Sequence, residues 1–247
     1  MKAMILAAGL GTRLRPLTDD RPKALVPLAG RTLLEITLAR LRSVGVREVI
    51  VNVHHCAQMI IDYLQANHNF GMAIAISRED DQLLDTGGGL KRAACFLGGS
   101  AEPFLLHNVD VLSSIDLAGM MRFHRERKAL ATLAVQSRDS SRHLLFDAQG
   151  QLCGRRAGRG AAPQIVRPAP GLQPLAFSGI HVLSPRIFDL LEETGAFSIV
   201  AAYLRLAAQG EAILAFRDRN AYWRDLGRPE QLAQAEHDIA LGQFPII

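Results

Sequence analysis

Residues 2–16 read KAMILAAGLGTRLRP, and the meaning of this stretch decides the fold. Lys2 to Leu6 is an apolar run behind one leading lysine, the pattern of a strand buried on both faces. It ends at once in Ala7, Ala8 and Gly9, with a second glycine at Gly11. In an open parallel sheet, ligands bind outside the carboxyl ends of the strands. Small residues at such an end let backbone N–H groups come close to a phosphate. Two better known glycine loops are excluded. Leu14 stands where a dinucleotide fingerprint needs its third glycine, and no Gly-Lys-Ser/Thr follows to make a P-loop.

Outward from this loop, strand and helix patterns alternate. Helical apolar spacing predicts helices over 32–44, 57–65, 89–96 and 117–128, with strands over 48–53, 73–77, 104–109 and 129–136. Such alternation predicts a doubly wound α/β fold, a mostly parallel Rossmann-like sheet flanked by helices. From residue 137 the character changes to short strands at 144–147 and 152–153. Residues 154–174 are rich in Gly, Pro, Ala and Arg and predict a loop, with Arg155, Arg156 and Arg159 in its mobile part. A strand over 177–182, a helix over 199–209, strands over 212–217 and 223–226, and a last helix over 229–241 complete the chain. With no internal repeat and no linker, residues 1–247 are expected to form one domain, its second half an inserted lid.

Composition narrows the partners. Hydrophobic residues make up 49% of the 247 and charged ones 21%, enough apolar surface for a sizeable core. The net charge of +4 suits anionic ligands. No long basic run is present, so nucleic acid is not an expected partner. No apolar stretch approaches the roughly twenty residues that span a bilayer, so no membrane partner is expected either. Cys56, Cys95 and Cys153 are odd in number and far apart, which disfavours disulfides and zinc and fits a reducing cytoplasm.

Two cations near the first loop point toward a polyphosphate. Arg13 is held at a glycine-rich turn, where a guanidinium can donate paired charged hydrogen bonds. Lys23 lies in RPKALVP, residues 21–27, between two prolines expected to keep the segment extended and the ammonium aimed. Either residue alone would be an ordinary surface cation.

The run LAAGLGTRLRPLTDDRPKALVPLAGRTLLE, residues 6–35, resembles the signature of the sugar-1-phosphate nucleotidyltransferases. Thymidylyl-, guanylyl- and uridylyltransferases of sugar phosphates share it. The resemblance implies that Ala8, Gly9, Gly11, Thr12 and Arg13 contact base and triphosphate, and that Lys23 binds near the α-phosphate. Residues 84–89, LDTGGG, resemble the family's second glycine segment, expected to be a close-approach loop that lays Gly88 against the base. Asp110 and Asp225, each at a strand end, correspond to the aspartates that hold Mg²⁺. Mg²⁺ prefers one or two carboxylates with phosphate oxygens and water. Asn108 would face the sugar phosphate, and Ser178 and Gly179 in AFSGIH, residues 176–181, would line the sugar pocket.

The resemblance thus implies an enzyme that joins a nucleoside triphosphate to a sugar 1-phosphate, giving a nucleotide-sugar and pyrophosphate. Arg13, Lys23 and Asp110 are its catalytic candidates. Residues 1–136 would form the nucleotide half and 137–247 the sugar-phosphate half. Members that act on N-acetylmuramate phosphate are similarly short, which favours UTP, with GTP, CTP and dTTP left open. So is the choice between a monomer and a homo-oligomer. Two departures stand out. Val109 replaces a usual glycine before Asp110, and a Glu-Lys-Pro motif is missing, leaving Arg167 in IVRP, residues 165–168, as a stand-in. Two rivals remain: a non-catalytic nucleotide-sugar sensor of the same fold, disfavoured by the retained charged residues, and a dinucleotide oxidoreductase. His54 and His55 point opposite ways and suit a turn, while Met120 and Met121 suit the core.

Overall fold

The computed structural model describes residues 1–158 and 160–244. In chain order its elements are β1 (Lys2–Leu6), β2 (Pro27–Leu28), β3 (Arg31–Thr32), α1 (Leu33–Ser43), β4 (Glu48–Val53), α2 (Ala57–Ala66), β5 (Ala73–Arg78), α3 (Asp85–Arg92), α4 (Ala94–Leu97), β6 (Phe104–Asn108), β7 (Val111–Ser113), α5 (Leu117–Glu126) and β8 (Ala131–Gln136). There follow β9 (Arg142–Phe146), β10 (Leu152–Ala157), β11 (Gln164–Ile165), β12 (Gln173–Leu183), α6 (Ile187–Leu190), α7 (Ile199–Ala208), β13 (Ile213–Arg217), β14 (Trp223–Asp225) and α8 (Pro229–Ala240).

The expected doubly wound α/β architecture is present. Strands β5, β4, β1 and β6 lie side by side and parallel. Strand β12 runs antiparallel to both β6 and β8, so β8 and its parallel neighbour β13 point the same way as β6. The carboxyl ends of six strands therefore share one edge of a mostly parallel central sheet. On its other flank β12 leads into an antiparallel ribbon of β9, β10 and β11.

Alternation along the strands builds a core on each face. Ala3 and Ile5 of β1 belong to one cluster with residues of α1, α2, α5 and α8. Met4, one residue out of phase, belongs to the other with residues of α3, α6 and α7. Met120 and Met121 are both buried in the first cluster. Helix α1 starts where expected because the Thr32 hydroxyl accepts the Glu35 N–H at 3.1 Å, satisfying one of the unpaired donors of its first turn.

Three readings of the sequence need correction. Residues 154–157 are strand, not loop: β10 pairs with β9 along its length, and Arg155 Nε donates to Gln164 Oε1 at 2.9 Å across to β11. Arg159 lies outside the described residues. Lys23 opens a 3-10 turn, Lys23–Leu25, so the segment between the prolines is bent rather than extended. The GGG segment lies inside α3 instead of preceding a helix. Helix propensity argues against three glycines in a helix at about 1 kcal/mol each, but tertiary packing overrides it, because α3 crosses the start of α7 at backbone distance. Gly87 N–H donates to the Phe197 carbonyl at 2.8 Å and Ile199 N–H to Thr86 Oγ1 at 3.0 Å.

Two of the three buried histidines among the described residues, His124 and His181, help set an acid limit on stability. Burial pushes His124 down to about 4 and His181 down to about 3, each hydrogen-bonded as a neutral ring, to Thr132 and Tyr203 respectively. The folded state disfavours their protonation, whereas unfolded histidines titrate near 6.5. Their contribution is complete above pH 6.5 and is lost as pH falls toward 4 and then 3, at up to about 1.4 kcal/mol per unit per histidine. The urea midpoint is expected to drop steadily from pH 6.5 to 4.5, before most carboxylates protonate. A flat midpoint over that window would refute it.

Candidate active site

Four strand ends build one cavity. Beyond β1 come Ala7 to Arg13, beyond β6 come Val109 and Asp110, and Asn52 and Glu79 stand at the ends of β4 and β5. With Leu83, Asp85, Thr86, Lys23, Asn108 and Gly227 they line about 480 Å³. That volume is typical of a small-molecule site, and its place is the one an open α/β sheet reserves for ligands. Of the residues singled out from the sequence, Ala8, Gly9, Gly11, Thr12, Arg13, Lys23, Asn108 and Asp110 all line it.

Within the cavity the Lys23 ammonium is paired with Asp110 Oδ2. Lys23 is only 7% exposed, so its charge is held where water is scarce and an anion would feel it strongly. Asp225 is not in the cavity wall but stands directly beside it. Strand β14 pairs with β7, setting Asp225 opposite Val111, and Leu226 N–H donates to the Asp110 carbonyl at 2.8 Å. Asp225 Oδ1 accepts the Gly227 N–H at 2.7 Å, and Arg13 flanks that same glycine. Two carboxylates from adjacent strands thus approach the end of the cavity that holds Arg13 and Lys23. Among the described residues no cluster of three or more His, Cys, Asp and Glu forms. Such a donor pair fits Mg²⁺, which takes its other oxygens from phosphate and water.

Gly88 does not line the cavity. A Cβ there would overlap the Gly195 carbonyl, so its missing side chain serves the α3–α7 crossing. Gly89, also outside the cavity wall, packs against two residues that do line it: its Cβ would stand 2.8 Å from both Asn52 Nδ2 and Glu79 Oε1. Ser178 and Gly179 lie behind Asn108, outside the cavity wall. At this point β12 bulges, its register to β8 shifting between Phe177 and His181. Gly179 takes φ +74° there, and a Cβ would stand 2.9 Å from Asn108 Nδ2. The bulge lets the second half of the chain close against Asn108. The Ser178 hydroxyl is buried with no hydrogen-bond partner among the described residues.

Sequence reasoning missed Asn52, Glu79 and Arg138. Asn52 Oδ1 accepts the Ala7 N–H at 2.7 Å and its amide donates to Glu79 Oε1 at 2.7 Å. Glu79 Oε2 accepts the Leu84 N–H at 2.9 Å. This bridge ties together the loops after β1, β4 and β5, and both side chains are buried. Their position at the ends of parallel strands was the available signal, but only the register makes those ends neighbours of the β1 loop. Arg138, past the end of β8, stacks on Trp223 with its guanidinium carbon 3.5 Å from the ring centroid. Arg167, by contrast, holds its backbone N–H on the Cys153 carbonyl of β10 at 3.1 Å and acts electrostatically on that thiol.

Comparison with known proteins agrees with this geometry. Residues 2–241 match the family model described as nucleotidyl transferase. The N-acetylmuramate alpha-1-phosphate uridylyltransferase of Caulobacter vibrioides is 33% identical over 251 residues, covering 96% of each chain. That of Neisseria meningitidis serogroup B is 34% identical over 244 residues, covering 96% of this chain and 97% of its own. The solved structure of UDP-glucose pyrophosphorylase from Acinetobacter baumanii shares the fold, with a TM-score of 0.79 at 20% identity over 99% of this chain and 95% of that one. No helix among the described residues is long and apolar enough to cross a membrane. The chain belongs to the nucleotidyl transferase family and is a nucleotidyltransferase.

Proposed function

We propose that this enzyme joins UTP to N-acetylmuramate α-1-phosphate, releasing pyrophosphate and forming the nucleotide-sugar. The observation that carries the reaction class is the cavity itself, where the β1 loop, Arg13, Lys23 and Asp110 meet at the ends of parallel strands. The choice of base and sugar rests on the two relatives that match nearly full length.

The reaction is an in-line displacement. A phosphate oxygen of the sugar 1-phosphate forms a bond to the α-phosphorus, and the bond from that phosphorus to the pyrophosphate oxygen breaks. The attacking oxygen is already anionic, so no general base is required, and catalysis consists of positioning and charge neutralisation. Ala8, Gly9, Gly11 and Thr12 present the loop backbone to base and phosphates. Arg13 takes charge on the leaving pyrophosphate, and Lys23 on the α-phosphate. Asp110 and Asp225 would hold Mg²⁺, which supplies charge neutralisation for phosphate oxygens when bound. Asn108, Ser178 and Gly179 shape the sugar side. Residues 1–136 are the nucleotide half and 137–247 the sugar half of one domain, joined through β12, which pairs with β6 and β8 alike. The substrates and three free cysteines suit the cytoplasm.

Pyrophosphate release with Mg²⁺ tests this, with UTP, GTP, CTP and dTTP each offered to a panel of sugar 1-phosphates. Release is expected with UTP and N-acetylmuramate α-1-phosphate. Preference for another pair would overturn the specificity, and silence across the panel in a nucleotide-binding protein would favour a sensor.

A further inference from the structure

Arg138 is placed to do more than cover a tryptophan. Its Nη2 donates to the Phe177 carbonyl at 2.7 Å, on the strand residue before Ser178. Its Nε is buried and has no hydrogen-bond partner among the described residues. Beneath the guanidinium, Trp223 Nε1 donates to the Ser178 carbonyl at 2.9 Å, which fixes the ring against the β12 bulge. The same tryptophan begins β14, whose last residue is Asp225. Among the described residues Arg138 makes no direct ion pair. Burial lowers it to about 10 while the Asp225 carboxylate opposes that drop, so it stays charged at neutral pH.

A half-buried cation with a free donor is costly unless something anionic completes it. The stacked ring holds the guanidinium plane, and a fixed fork is the geometry that recognises phosphate or carboxylate. The position matters as well. Arg138 stands past the carboxyl end of β8, against the strand that carries Asp225 and outside the cavity wall, whereas Arg13 and Lys23 line the cavity. The sugar 1-phosphate is a dianion that must be held opposite the leaving pyrophosphate, and the lysine of a Glu-Lys-Pro motif is absent from this chain. Arg167 sits instead against Cys153.

We propose that Arg138, held flat on Trp223, receives an oxyanion of the sugar substrate. This rests on the reading of the chain as a sugar-phosphate nucleotidyltransferase. Two oxyanions qualify, the 1-phosphate and the carboxylate that a muramate carries.

Trp223 is the one tryptophan of the chain, so its fluorescence reports the site directly. In the wild type, N-acetylmuramate 1-phosphate is expected to change that fluorescence in the presence of UTP and Mg²⁺. In Arg138→Met the response is expected to disappear and KM for the sugar phosphate to rise about tenfold to a hundredfold, with KM for UTP within twofold, as expected for losing a charge-assisted pair. Arg138→Lys keeps the charge without the fork and should fall between, guarding against a variant that fails to fold. N-acetylglucosamine 1-phosphate separates the two anions. An equal loss for both sugars assigns the 1-phosphate, and a loss confined to the muramate assigns the carboxylate. Unchanged KM and fluorescence in both variants, or a parallel loss for UTP with a lower Tm, would overturn the proposal. A wild type that uses no sugar phosphate would overturn the functional reading instead.

Discussion

In the Asp110→Asn variant, pyrophosphate release is expected to fall by about a thousandfold, equivalent to about 4 kcal/mol of transition-state stabilisation. Asparagine keeps the shape of the side chain and an oxygen for Lys23 to contact, while removing the charge. The loss should therefore appear in kcat with little change in Tm. Alanine is a harsher test. It strips the partner from a lysine that is only 7% exposed, and an unpaired buried charge costs several kcal/mol. Asp110→Ala should lose both turnover and stability. The pair of variants separates chemistry from folding, read by single-turnover kinetics beside a denaturation curve. Near-normal turnover in Asp110→Asn would remove Asp110 from the proposed metal site.

The second large effect concerns the fold. Gly88→Ala is expected to destabilise the protein by about 3 kcal/mol, the upper range for overpacking a tight interior. At about 2–4 °C per kcal/mol for a chain of this size, Tm should drop by roughly 6–12 °C. The new methyl would meet the Gly195 carbonyl and, at 3.0 Å, the Leu84 Cβ. Neither can swing aside, because Leu84 and Phe197 are tied to each other by a backbone hydrogen bond of 3.1 Å. If Gly88 instead made room for the base, the variant would keep its Tm and show a raised KM for nucleotide. Differential scanning calorimetry with a nucleotide titration distinguishes these outcomes.

These two residues also show where sequence reasoning reaches and where it stops. Asp110 was legible through the resemblance of its context, HNVD at residues 107–110, and through the apolar start of the strand before it, Phe104 to Leu106. Gly88 was legible as a place of close approach, but what approaches it was not. The neighbour, Gly195, is over a hundred residues away in the chain, and local propensity argues against a helix through three glycines. Asn52 and Glu79 were missed for the same reason. Each looks like a polar residue at the end of an apolar run until the parallel register brings β1, β4 and β5 into one edge. The Arg-rich stretch after Gly154 was misread because antiparallel pairing with β9, not its composition, makes residues 154–157 a strand.

By itself, the sequence determined the α/β alternation and the glycine loop after β1, because periodicity and turn chemistry are local properties, and its resemblance to a family singled out Arg13, Lys23 and Asp110, which line the cavity. Only the tertiary structure decided that the glycine triplet packs against the segment leading into α7 and the Asn52–Glu79 bridge, that the β12 bulge closes on Asn108, and that Arg138 lies flat on Trp223. Those are contacts between segments distant along the chain, and their partners are chosen by sheet register and packing.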